Sequence, residues 1–511
     1  MAKINLSLNG KNFSVDESVL EAATASLKAH LSSVMNGSGA TINLGGTNYN
    51  VDSTKLATAT SDFTTHLRSI AGNGPKISVG GIEFSIDSTK INKVMSGLHT
   101  HFEELVLPAS VEELENTYTF TYFSTMVDAV NAIAGGTTDS GNTDRELAIA
   151  GVYTDENANN VIVLLKDTEE RIQIASDMII NLGGHTLSAT TGSAITINSG
   201  NVHIDGRLPG STVNVVTPDT VTARAVAINK TAVVSINGGT YIAAGTNKAS
   251  AGILCLGNLT ASNATIIGRS TTARIDGISM STGSSANVTN CNVYAYSDEG
   301  TANSVYVSKS CVVTITDSTT IGYSSYIHNG TSYTSSSMGV YQASGSTLTL
   351  NNCIASGTIA GIQTYGTLFV DGGTYEGFGH GGFYFTGSSA VAYVRNATIR
   401  ECAFNEGYTT NNGTNEVGFY IGGGSNNSVY MDNCTIESAG HAIVLRTTSG
   451  EQNNALYISN STIGENQQIR IDSTTHKLYL GVGNSFTAED TTLPAAVIET
   501  GETYVYTETV A

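Results

Sequence analysis

From about Ile179 onward the chain repeats a two-part signature that leaves no space for a helix between its parts. A small residue followed by an apolar one recurs as Gly252-Ile253, Gly277-Ile278, Gly339-Val340, Gly361-Ile362, Gly382-Phe383 and Gly418-Phe419. Ten to 14 residues after each apolar member comes a turn-like triplet: Asn263-Ala264-Thr265, Asn290-Cys291-Asn292, Asn352-Cys353-Ile354, Gly372-Gly373-Thr374, Asn396-Ala397-Thr398 and Asn433-Cys434-Thr435. Val226 with Gly238, Val305 with Asp317, and Ile443 with Asn460 continue the same ladder. The segments between are short, β-branched and bounded by Gly, Asn, Ser or Thr, as strands are. Short strands with neither helices nor hairpins between them satisfy their backbone groups by coiling, each turn stacked on the one before. The expected fold is therefore mainly β: a parallel β-helix over residues 161–485, about ten coils at ~4.8 Å each, or roughly 50 Å. The aligned Asn263, Asn290, Asn352, Asn396, Asn433 and Asn460 suit an internal turn in which side-chain amides stack. Cys291, Cys353 and Cys434 share a position with Gly239, Ala264, Ala397 and Ser461, so small size is what that position selects.

A different repeat opens the chain. Gly10, Gly46 and Gly81 lie 36 and 35 residues apart, and the same spacings relate Phe13, Tyr49 and Phe84, then Asp16, Asp52 and Asp87. Each copy reads as a strand, a glycine turn, a return strand ending in an Asp suited to cap a helix, and an amphipathic helix. The helical stripe is Leu20, Ala23, Leu27, Leu31 and Val34 in the first copy. Residues 1–107 are thus expected to form a small α+β module of three hairpin-helix units, each too small to fold alone. His30, His66 and His101 recur at one position, either as boundary residues beside the stripe or as a pH-sensitive contact. Residues 1–107 carry 8 Lys+Arg and 9 Asp+Glu, whereas the whole chain carries 23 and 43. That asymmetry places a boundary near Pro108. Residues 108–160 read as a junction, with a helical stripe at Phe123, Met126, Val127, Val130 and Ile133 fit to cap the first coil. Residues 486–511, with five acids and no Lys or Arg, read as a C-terminal β cap.

Charge and composition narrow the partners. A net charge of −20 repels phosphates, so nucleic acid is a poor partner. No run of about 18 apolar residues is present, so no membrane insertion is expected. Cys255, Cys291, Cys311, Cys353, Cys402 and Cys434 form no C-x-x-C pair, and no His stands at metal-finger spacing, so neither a metal nor another cofactor is expected. Met1 to Leu20 lacks a basic segment followed by an apolar one, so no secretory signal is read there.

The stretch Val163-Leu164-Leu165-Lys166-Asp167-Thr168, then Ile172-Gln173-Ile174, then Asn181-Leu182-Gly183-Gly184-His185-Thr186-Leu187, resembles the opening coils of right-handed β-helix proteins of the pectate-lyase-like class. The rungs after it are similar in style to bacteriophage tailspikes, tail fibres and head fibres. The resemblance implies a right-handed coil, in line with the hand of parallel crossovers. It further implies a homotrimeric virion protein, made in the host cytoplasm and released by lysis. Residues 1–107 would then attach to other virion proteins, and the β-helix would meet host surface polysaccharide. Two further readings stay open: a tailspike depolymerase, acting as a polysaccharide lyase or glycoside hydrolase, and a bacterial surface adhesin.

Candidate chemistry concentrates between Tyr365 and Tyr430, where 13 of 66 residues are aromatic against 7% overall. Aromatic faces stack on sugar rings, and flanking charged groups bind hydroxyls. Tyr375, Glu376, Phe378, His380, Tyr384, Arg400, Glu401, Tyr408 and Tyr420 are the glycan-binding candidates. The competing reading of the same aromatics is a core stack or a trimer seam, and Phe383 and Phe419 are expected inside. Gly379-His380-Gly381 matches a pectinase-type Gly-His-Gly motif, but no Asp-Asp pair precedes it. A hydrolase needs an acid and a base about 5 to 10 Å apart. Asp371 with Glu376, and Glu401 with Glu406, are the nearest pairs, and Arg395 and Arg400 lie close enough in sequence to engage them as ion pairs. No catalytic residue is assigned.

Overall fold

The structure is a computed structural model, and the chain divides into two compact units, Met1–Ala109 and Ser110–Ala511. It describes residues 3–8, 11–16, 40–44, 47–51, 71–79 and 82–86 of the first unit, together with Ala109. In the second it describes 110–136, 143–218, 221–324, 337–377, 381–401, 417–422, 424–437, 441–446, 453–464, 469–486 and 497–504.

The described part of the first unit is three antiparallel hairpins: Lys3–Leu8 with Lys11–Asp16, Ala40–Leu44 with Thr47–Val51, and Ala71–Val79 with Ile82–Ile86. Leu6 pairs with Phe13, Ile42 with Tyr49 and Ile77 with Phe84, so the same apolar–aromatic cross-strand pair recurs in every copy. The expected helices, with His30, His66 and His101, lie outside the described residues.

The second unit begins with two helices, α1 (Val111–Thr117) and α2 (Met126–Ile133). Ser110 opens α1 with a capping box, its hydroxyl accepting from the Glu113 amide while the Glu113 carboxylate accepts from the Ser110 amide. The junction stripe forms α2, but Phe123 belongs to a strand and Val127 faces solvent at 40% exposure. Met126, Ala129 and Val130 are buried and join the same core as Ile162, Leu164, Ile172 and Ile174 of the first coils.

Everything after that belongs to one 37-stranded sheet, and from the pairing of Val161–Val163 with Ile179–Asn181 onward every contact between coils is parallel. Each coil contributes to three columns, the arrangement of the right-handed parallel β-helix. One column runs from Ile172–Ile174 through Ser250–Cys255 and Phe383–Phe385 to Ile469–Ile471. The second runs from Asn160–Leu164 through Val202–Asp205, the latter half of the strand Ser193–Gly206, to Lys477–Leu480. The third runs from Thr168–Glu169 through Thr265–Ser270 to Ser485–Phe486. The inward positions fill the interior with rows of aliphatic side chains, for example Ile253, Ile278, Val305, Val340 and Ile362 at 0% exposure in the first column, where most of the intervening residues are buried as well.

Both parts of the sequence signature have a structural cause. The small residue of each Gly-apolar pair lies where the first column runs against the third. A Cβ on Gly382 would stand 2.4 Å from the Tyr375 carbonyl oxygen and 2.7 Å from Ile399 Cγ2. The turn residue lies between the second and third columns in the left-handed region, with φ from 47° to 55° at Asn263, Asn290, Asp317, Asn352, Asn433 and Asn460. Asn and Asp tolerate that region, and Gly372 at 77° and Gly483 at 73° occupy it freely. The amides do stack: Asn290 Nδ2 donates to Asn263 Oδ1 at 2.6 Å, and Asn433 Nδ2 to Asn396 Oδ1 at 2.7 Å. Their place is corrected, however: Asn290, Asn352, Asn396, Asn433 and Asn460 are exposed, so the amide ladder runs along the outside. A side chain that follows a turn of this kind points in, which is why its successor is small.

That successor holds Cys291, Cys353 and Cys434, all buried, as are Cys255 and Cys311. Burial pushes the Cys353 and Cys434 thiols up to about 12 and the Cys291 thiol to about 11. At the far end, Val497–Glu499 adds one more parallel strand on Leu478–Leu480, and the Tyr504 amide donates to Ser459 Oγ at 2.9 Å. Residues 487–496 and 505–511 of the expected cap lie outside the described residues.

Candidate functional site

The outward face of the third column carries the charged candidates. The strand alternation that turns Tyr375 and Gly377 inward turns Glu376 outward, and register then stacks Glu376, Arg400 and Glu437 on successive coils. Arg400 Nε donates to Glu376 Oε1 at 2.8 Å, and its Nη2 engages the same oxygen. Around the adjacent turn, Asp371, Arg395 and Asp432 form a second such row. Arg395 Nη2 donates to Asp371 Oδ2 and Asn396 Nδ2 to Asp371 Oδ1, both at 2.7 Å. Asp432 Oδ1 accepts from Ser459 Oγ and Asn460 Nδ2, again at 2.7 Å each. These acids bind the next coil. A general acid must present its proton to a leaving group, and here both oxygens of Asp371, Oε1 of Glu376 and Oδ1 of Asp432 accept from arginine, amide or hydroxyl donors on the neighbouring rung.

The aromatic candidates separate. Tyr375 is corrected from a surface position to the core: it is fully buried, its hydroxyl donates to the Gly372 carbonyl at 3.0 Å, and its ring lies 4.9 Å from Phe383. Burial raises its phenol far above the ordinary range. The sequence did contain the signal, because Tyr375 stands two residues after the inward Gly373, as Ile399 does after Ala397 and Ile436 after Cys434. Phe383 and Phe419 are interior, as expected. Tyr384 and Tyr420 pair in register on the outward side of the first column, ring centroids 5.3 Å apart. Tyr420 is nonetheless 3% exposed and Tyr384 half-buried, so neither offers an open ring face. Glu401 closes a third-column strand beside Gly377, but its side chain is not described. Phe378, His380 and Tyr408 lie outside the described residues. The structure therefore joins Glu376 to Arg400 and Tyr384 to Tyr420, and sets Tyr375 apart from both.

One aromatic feature escaped the sequence reading. Phe369, Tyr393, Tyr430, Tyr457 and Tyr479 occupy one outward row of the second column. Their rings stack at 5.5, 5.3, 4.6 and 4.5 Å with interplanar angles of 11° or less, and Tyr504 meets Tyr457 edge-on. Face-to-face stacking leaves ring edges and hydroxyls toward solvent, and the faces that would hold a sugar are occupied by one another. Phe369, Tyr393, Tyr430 and Tyr457 each stand three residues ahead of the turn residue, and that offset was the available signal. Among the described residues there is no cluster of three His, Cys, Asp or Glu able to hold a metal ion, and no helix long and apolar enough to cross a membrane.

No protein-family model matches the chain, and no curated protein matches it. Among solved structures, it is similar to the autotransporter UpaB from E. coli strain CFT073, at 14% identity over 67% of this chain and 91% of that one, with a TM-score of 0.26.

Proposed function

We propose that this protein is a non-catalytic fibre or spike exposed on the tail or capsid of a bacteriophage virion. In this reading residues 1–107 attach to another virion protein, and the β-helix assembles as a homotrimer that touches host surface glycans. The chain is made in the host cytoplasm and leaves by lysis. The observation that carries the non-catalytic part is the pairing of Asp371 with Arg395 and Glu376 with Arg400 across coils. Acids placed for catalysis stand free beside a groove; these stabilise the stack. The virion assignment is supported by the similarity in style of the rungs after Leu187 to phage tailspikes, tail fibres and head fibres. Its test is mass spectrometry and gold-labelled antibody imaging of purified particles. Peptides of this chain in the particle and label on tail or head are expected. Their absence from particles, with label on bacterial cell surfaces instead, overturns the virion assignment in favour of an adhesin. Light scattering of the purified chain should give three times the 53.1 kDa protomer mass.

A further inference from the structure

Away from the aromatic-rich segment, the outward row of the third column contains Val216, Ala244, Arg269, Tyr296 and Tyr323 in register. The Ala244 methyl, between larger neighbours, leaves a dent in this row. Together with the turns that follow the strands it opens a cleft of about 340 Å³, which Asp298 and Thr271 also line. Arg269 differs from most arginines of the β-helix. Arg207, Arg274, Arg395, Arg400 and Arg470 each pair with a carboxylate, whereas Arg269 is exposed and has no ion-pair partner among the described residues. Val216 on the opposite rim is 54% exposed, and the half-buried Tyr296 ring has Tyr294 6.0 Å away on its own strand.

We propose that this cleft binds one neutral pyranose ring of a glycan. The guanidinium of Arg269 supplies a planar fork of donors, which matches the oxygens of a pair of adjacent sugar hydroxyls. Tyr296 and Val216 give apolar contact for the C–H face of the ring. The volume is at the small end of ligand pockets, which suits one sugar ring rather than a peptide or a dinucleotide. A carboxylated sugar is disfavoured because Asp298 lines the same cleft and the chain carries a charge of −20. The inference rests on the proposed function only for the class of ligand.

The test is saturation-transfer NMR on the full chain with methyl α-glucopyranoside, methyl α-galactopyranoside, methyl α-mannopyranoside and, as the acidic comparison, glucuronate. Ring-proton saturation of at least one neutral glycoside is expected, lost in both Arg269→Ala and Tyr296→Leu. Both substitutions are on the outward face, and an unchanged circular dichroism spectrum verifies the fold. No saturation of any neutral glycoside, saturation of glucuronate alone, or saturation unchanged in both variants overturns the proposal. Saturation in the cleft by a protein absent from virions removes the proposed function and leaves the cleft standing. Host polysaccharide binding that is indifferent to Arg269→Ala does the reverse.

Discussion

Replacing Asn433 separates the two roles of the turn residue. Its φ of 51° lies in the left-handed region, and its Nδ2 donates to Asn396 Oδ1 at 2.7 Å. In Asn433→Ala the methyl side chain can neither bond to the next rung nor relieve the conformation. The left-handed region costs a non-glycine residue about 1 kcal/mol or more, and an exposed amide hydrogen bond contributes about 0.5–1 kcal/mol, so the loss should be ~2 kcal/mol. Asn433→Gly loses the same hydrogen bond but accepts the positive φ, at an entropic cost of roughly 0.5 kcal/mol, and should lose about 1–1.5 kcal/mol, less than the alanine variant. The chain has no Trp and 23 Tyr, so tyrosine emission during urea denaturation follows unfolding. The expected order of midpoints is native, then glycine, then alanine. A glycine variant as unstable as the alanine variant would refute the assignment of the ladder to backbone conformation.

Four other outcomes follow from the interior and the ends. Cys255, Cys291, Cys353 and Cys434 should resist alkylation at pH 8 in the folded chain and react once it is unfolded, as read by peptide mapping. Because burial raises these thiols from about 9 to about 11 or 12, the unfolded chain releases protons first as pH rises. Stability is then fully present below about pH 9 and lost between about 9 and 12, by up to ~1.4 kcal/mol per pH unit per thiol, so a denaturation midpoint that is level across that range would contradict it. Gly382→Ala should destabilise by ~1–3 kcal/mol or abolish soluble expression, since its Cβ meets the Tyr375 carbonyl rather than a side chain able to turn away; a normal melting temperature would count against the close approach of the columns. Deleting the chain from Val497 exposes the edge of Leu478–Leu480 and should cause aggregation, measured by light scattering, with a soluble truncation as the contrary result.

The coil was legible because its geometry dictates residue type at two positions per rung: a small residue where the first and third columns touch, and a left-handed residue where the second turns into the third. Asn263, Asn290, Asn352, Asn396, Asn433 and Asn460 could be aligned by eye for that reason. What failed was the phase of alternation after a glycine turn. Gly372-Gly373 carries no side chain to mark the phase by itself, and only alignment with Ala397-Ile399 and Cys434-Ile436 turns Tyr375 inward. The Tyr393-Tyr430-Tyr457-Tyr479 stack was missed because it is a property of register between coils, and each tyrosine taken alone reads as an ordinary surface strand residue. The paired arginines were legible, since register converts closeness in sequence between a turn and its successor into a rung-to-rung contact. Arg269 gave no such signal, because only the coil above and below shows that it lacks an acid.

The central claim is that the acids of the aromatic-rich segment are structural. It is tested most directly by incubating the purified full chain with host capsular or wall polysaccharide and measuring reducing ends and unsaturated products over time. No release above the protein-free control is expected, for the native chain and for Glu376→Gln alike. Turnover by the native chain that disappears in Glu376→Gln or Glu401→Gln would contradict it and make this segment a depolymerase site.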